Sequence, residues 1–206
     1  MMFYYMIFIA IGFIMGSIMF SSLLPKVFAN KNICEDSLDK NPGAFNVFKN
    51  CGVKMGMICL VLDMLKGIIP VYISTRFLDY NNLWFLLVLI SPVLGHAIGM
   101  FNDFKGGKCI STSFGVLLGI FHITPIVLVL AFTYIFFVIL FMGKSNYKKS
   151  IWTYTFFAII SSLILFYNNL NVIALACIDI AIIAIYKHYY AQSHIIADKE
   201  MVNDAR

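Results

Sequence analysis

Charge is scarce in this chain. Only 12% of its 206 residues are Asp, Glu, Lys or Arg, while 61% are hydrophobic and the mean hydropathy is +0.88. A soluble domain carries about a quarter charged residues, so an integral membrane protein is indicated instead. Alternating short apolar segments are also missing. The apolar runs are continuous, which argues against a transmembrane β-barrel and for an all-α, polytopic bundle. Cysteine pairs are absent too. Cys34, Cys51, Cys59, Cys109 and Cys177 form no C-x-x-C motif and no Cys/His cluster, so neither a disulfide framework nor a metal site is expected. No Ser-His-Asp triad, internal repeat, low-complexity stretch or basic-aromatic groove for nucleic acid stands out, and no cofactor is implied.

What is there is a series of membrane-length runs. The apolar segments 2–24, 53–75, 83–100, 110–122, 125–142, 151–167 and 172–186 predict about seven transmembrane helices. The first has no basic residue ahead of it and reads as a retained helix rather than a leader, ended by Pro25 and Lys26. Charge orients the set. With the N-terminus outside, the loops 25–52, 102–108 and 143–150 and the C-terminal tail are cytoplasmic, and they hold nearly all the Lys and Arg; Arg76 stands alone on the other side. This follows the positive-inside rule. Residues 1–190 are expected to form one membrane domain and 191–206 a polar cytoplasmic tail.

The polar segments cluster on that one face. In Asn102-Asp103-Phe104-Lys105-Gly106-Gly107-Lys108, two glycines lie between two lysines. Glycine lets backbone N–H groups approach an anion, lysine neutralises it, and a helix starting near Cys109 would aim its positive end at the same place. The plain alternative is a polar turn at a membrane surface. The loop 25–52 is long enough to suggest function, with a turn at Asn41-Pro42-Gly43. Asp63 and Lys66 fall three apart on one face of the second span. Charges inside a membrane mark either a functional site or a structural ion pair. His96 and His122 read as packing and interface residues, and Asp179 is the remaining charge at mid-span.

Taken together, these pieces resemble the bacterial acyl-phosphate:glycerol-3-phosphate acyltransferases, seven-helix enzymes of the inner membrane. The resemblance is carried, in order, by Gly16-Ser17-Ile18, by Asn41-Pro42-Gly43-Ala44 with Asn46-Val47 and Gly52, and by Leu62-Asp63-Met64-Leu65-Lys66-Gly67 with Pro70. It continues through Leu94-Gly95-His96, Phe104-Lys105-Gly106-Gly107-Lys108, Thr112 and Gly115. Ser150, Thr153, Tyr186-Lys187-His188 and Glu200 extend it toward the C-terminus. It implies transfer of an acyl chain from acyl phosphate to the 1-hydroxyl of glycerol 3-phosphate, giving lysophosphatidic acid and phosphate, without a covalent intermediate. By the same resemblance, Lys105, Gly106, Gly107 and Lys108 would hold one phosphate. Lys66, Asn41, Asn46 and Lys49 would hold the other, and Thr112 would join in binding substrate or phosphate. Ser150 would orient an oxygen, and His188 would accept or relay the hydroxyl proton or hydrogen-bond the reacting phosphate.

The chain departs from the family pattern at several points. Ser-Gly-Asn is Asp39-Lys40-Asn41 here, Ala-Thr-Asn is Ala44-Phe45-Asn46, and the following Arg is Lys49. The glycine after Gly-Gly-Lys is Cys109, and Ala191 replaces an Asn. A carboxylate at Asp39 would repel phosphate unless Lys40 or Lys49 paired with it. These departures keep two other readings in view: a non-catalytic membrane protein of the same fold, and a small anion transporter. Only Asp63, Lys66 and Asp179 supply the mid-depth charge that a transporter needs.

Overall fold

Eight helices, and no strand among the described residues, build the chain: α1 (Met2–Ser17), α2 (Phe20–Ala29), α3 (Ala44–Ser74), α4 (Trp84–Ile98), α5 (Ile110–Gly119), α6 (Val127–Leu140), α7 (Asn146–Tyr167) and α8 (Asn171–Asp204). This computed structural model describes residues 2–204, with side chains described through Ser193 and at Ile195. Three helices are long and apolar enough to cross a membrane: α3, α7 and the 171–193 part of α8. The bent pair α1 and α2 makes a fourth. The outward faces carry exposed Phe3, Phe132, Ile139, Leu163 and Ile182, as a bundle solvated by lipid requires.

Glycine governs two helix crossings. A Cβ added at Gly16 of α1 would strike the Pro92 carbonyl of α4, and one at Gly95 of α4 would strike the Phe13 carbonyl of α1. Likewise a Cβ at Gly115 of α5 would strike the Met64 carbonyl of α3. In lipid no solvent drives helices together, so such close backbone approach is what holds them. The main core runs through Val71, Phe85, Leu89, Val116, Leu117, Phe157, Cys177 and Ile180. A smaller core of Ile33, Ala44, Val47 and Cys59 pins the loop before α3.

Four sequence expectations change. The first span is not one straight helix. It breaks at Ile18 and Met19 with a 41° bend between α1 and α2. Pro25 does not end it. Pro25 is buried within α2, and the helix closes at Asn30, whose left-handed backbone (φ 50) lets its N–H reach the Pro25 carbonyl. The loop 25–52 shrinks accordingly to 30–43, because Ala44 to Cys51 is helical and joins the second span through a kink at Gly52 (φ 82, ψ 174). At the other end the expected tail at 191–206 is continuous with the last helix as far as Asp204.

Candidate active site

The buried charges Asp63 and Lys66 serve the break in the first span. Residues at a break leave carbonyls without helical partners. Lys66 Nζ donates to the Ile18 carbonyl at 2.6 Å and lies 2.9 Å from Asp63 Oδ1. Ser21, in the first turn of α2, donates to Asp63 Oδ2 at 2.6 Å. Thr112 on α5 donates to the Asp63 backbone carbonyl at 3.3 Å. Lys66 is 2% exposed and Thr112 fully buried. Both are therefore engaged in holding α1, α2, α3 and α5 together, and neither lines the two cavities described next.

Those cavities share a wall. The first, about 440 Å³, is lined by Cys34, Glu35, Lys40, Lys105, Gly106 and Lys187 among others. The second, about 480 Å³, has an apolar side of Phe45, Phe48, Leu60 and Val138 and a polar side of Asn46, Lys149, Ser150 and His188. Asp39, Asn41 and Lys108 line both. Lys108 Nζ sits 2.6 Å from Asp39 Oδ2, and Asn46 Nδ2 donates to Asp39 Oδ1 at 2.8 Å. Burial alone would raise the Asp39 carboxyl, but the Lys108 charge and hydrogen bond, with help from Asn46 and the Asn41 N–H, hold it below its ordinary value. The ion pair that Asp39 makes is with Lys108. Lys49 is turned aside, its ammonium 4.5 Å from the centre of the Phe45 ring.

Three helix N-termini face the second cavity: Gly43 to Asn46 at the start of α3, Cys109 to Ser111 at the start of α5, and Asn146 to Lys149 at the start of α7. None of the three has a side-chain cap among the described residues. Each presents unpaired N–H groups and a partial positive charge. Beside them His188 is 3% exposed, yet neither ring nitrogen has a hydrogen-bond partner among the described residues. A buried polar group without a protein partner is unusual, and at a cavity wall it is available to a ligand. The arrangement suits an anion attached to an apolar tail: positive helix ends and lysines for the head, an apolar wall for the rest. No group of three or more His, Cys, Asp or Glu side chains suited to a metal is found among the described residues.

A family-wide sequence pattern described as Glycerol-3-phosphate acyltransferase matches residues 6–198. The chain belongs to the glycerol-3-phosphate acyltransferase family. Among curated members of that family, the enzyme of Hydrogenobaculum sp. (strain Y04AAS1) is 33% identical over 136 residues, covering 66% of this chain and 68% of that one. That of Fusobacterium nucleatum is 30% identical over 196 residues, covering 94% and 95%. The crystal structure of PlsY (YgiH), an integral membrane glycerol 3-phosphate acyltransferase, in its glycerol 3-phosphate form superposes with a TM-score of 0.74 at 26% identity, covering 94% of this chain and 92% of that one. Its lysophosphatidic acid form gives 0.72.

Within this glycerol-3-phosphate acyltransferase the predicted site residues divide. Asn41, Asn46, Lys108, Ser150 and His188 meet around the second cavity, and Lys105 and Gly106 line the first. Gly107 is committed to packing. Its N–H donates to the His96 carbonyl at 3.0 Å, and an added Cβ would run into the His96 ring. Thr153 turns back to the Lys149 carbonyl at 2.9 Å. Glu200 lies outside the residues whose side chains are described. Lys149, Asn146, Ser111 and Tyr134 also line the second cavity and were not singled out from the sequence. Only the position of Lys149 beside Ser150 hinted at it. Lys40 and Cys109, which stand where the family pattern has glycine, both keep a left-handed backbone (φ 47 and 66).

Proposed function

We propose that this protein transfers an acyl chain from an acyl phosphate to the 1-hydroxyl of glycerol 3-phosphate, giving lysophosphatidic acid and inorganic phosphate in phospholipid biosynthesis. The observation that carries the reading is a buried His188, without a hydrogen-bond partner among the described residues, in a cavity faced by three helix N-termini and by Lys108, Lys149 and Ser150. Membership of the family supports the same reading.

The reaction needs little chemistry from the protein beyond placement. The acceptor oxygen attacks the acyl carbonyl carbon, the bond from that carbon to the phosphate oxygen breaks, and the departing phosphate is a good leaving group. Catalysis then rests on holding two mutually repelling phosphates and stabilising the charge that develops on the carbonyl oxygen. In this account the α3 and α5 N-termini, Asn41, Asn46 and Lys108 hold one phosphate, and Lys105 with the Gly106 loop holds the other at the first cavity. Ser150 orients an oxygen, and His188 passes the hydroxyl proton toward the departing phosphate. The acyl chain lies along Phe45, Phe48, Leu60 and Val138. Lys66 and Thr112 act through the fold rather than on substrate.

The proposal includes seven membrane passages, an outside N-terminus, and a cytoplasmic active face on the inner membrane of a bacterium. The bent pair α1 and α2 makes the first passage, and α3 to α8 make one each. Because α5 has only 10 residues, about 15 Å of helix, its passage is completed by the turns at 120–126. The basic loops support the orientation. His188→Ala and Ser150→Ala test the assignment. Each is expected to cut turnover by about a hundredfold or more in protein whose thermal unfolding matches wild type. Full turnover in His188→Ala would remove the reading.

A further inference from the structure

The Asp39–Lys108 pair stands where the two cavities meet, and the proposed function leaves Asp39 without a role. Its surroundings are those of a bound anion. Asp39 Oδ2 takes the Lys108 ammonium at 2.6 Å, Oδ1 takes the Asn46 amide at 2.8 Å, and the Asn41 N–H approaches at 3.4 Å. Asn41, Asn46 and Lys108 are also the groups assigned above to a substrate phosphate. The pair is not sealed: the Lys108 and Asp39 side chains are 17% and 26% exposed. Lysine carries a point charge on a flexible stem and can exchange one anion for another without backbone movement.

We infer that Asp39 is an internal occupant of the phosphate site, a carboxylate with which the substrate phosphate must compete for Lys108, so that Asp39 sets the affinity for phosphate there. The inference rests on the proposed reading of that site. Lys108 and Asn46 leave Asp39 and turn to the incoming phosphate, while Asp39 remains as a negative charge beside the bound dianion. Repulsion of this kind lowers affinity and favours release of the phosphate product. A residue without charge at position 39 removes both the competition and the repulsion.

The test is binding of inorganic phosphate to the full chain in detergent, followed by titration calorimetry, and it requires no turnover. Asp39→Asn keeps the side chain's shape and removes its charge. It is expected to tighten phosphate binding by about tenfold or more, the scale of a neighbouring like charge, while Asp39→Glu leaves it near wild type. Adding Lys108→Ala to Asp39→Asn should abolish the gain, which separates a Lys108 site from adventitious binding elsewhere. Asp39→Ser serves in the same way if Asp39→Asn does not fold. Unchanged, weaker or undetectable phosphate binding in the charge-free variants overturns the inference. If acyl transfer is absent but the binding pattern holds, the occupant role stands and the proposed reaction fails on its own.

Discussion

Replacing Lys66 by methionine separates the two roles available to that residue. The family resemblance makes it a phosphate holder, whereas the structure engages it with Asp63 and the Ile18 carbonyl at the break of the first span. Lys66→Met keeps the stem and removes the ammonium. Asp63, 1% exposed, is then left with Ser21 alone at 2.6 Å, and the Ile18 carbonyl loses its lysine donor. Breaking a buried pair from one side costs about 3–5 kcal/mol, and a stranded carbonyl about 1–3 more, with incomplete additivity. For a chain of this length that corresponds to a fall in melting temperature on the order of 10 °C. The assay is thermal unfolding in detergent followed by thiol labelling, since Cys34, Cys59, Cys109 and Cys177 are buried in the fold. The double variant Asp63→Asn/Lys66→Met should recover part of the loss, because no charge is left unpaired. A Lys66→Met protein that melts with wild type but no longer binds phosphate would refute this reasoning and return Lys66 to the substrate.

Two further predictions concern the departures from the family pattern. Cys109→Gly relieves a left-handed backbone (φ 66) but removes a side chain that is 1% exposed within the main core. The backbone gain of about 1 kcal/mol and a packing loss of about the same size offset each other, so the melting temperature should stay near wild type, and a large shift in either direction would contradict the argument. Asp39, held below its ordinary carboxyl value by Lys108 against the opposing effect of burial, should titrate upward in Lys108→Ala, read from its carboxyl carbon by NMR. The sign follows from linkage. A depressed folded value means that the stabilisation from pairing is present above the unfolded Asp value and is lost as pH falls through the lower folded one, so wild type should lose this contribution only on acidification below about pH 4.

Much of the architecture was legible because apolar runs and turn residues are local signals. The all-helical membrane class follows from composition, and the kink at Gly52 falls where the second span was expected to begin. The break at Ile18 was not legible. Its enabling contact comes from Lys66, 48 residues away, and no local pattern announces a carbonyl satisfied from another helix. Pro25 misled for a related reason: packing of α2 on α3 outweighs the usual helix-breaking tendency of proline. At the site, residue types were easier to read than roles. Gly16, Gly67, Gly95 and Gly115 carry the resemblance, yet they occupy helix crossings. Gly107, expected from the sequence to cradle phosphate, packs on His96, a contact that no local pattern announces. The pairing of Asp39 with Lys108, 69 residues apart, depends on tertiary structure alone.

The most direct measurement is acyl transfer by purified protein in detergent, supplied with palmitoyl phosphate and glycerol 3-phosphate, with phosphate and lysophosphatidic acid followed together. The account predicts equal amounts of both products, and both formed at least about a hundredfold more slowly by His188→Ala. Phosphate released without lysolipid, or no product from folded protein across several acyl phosphates, would contradict it.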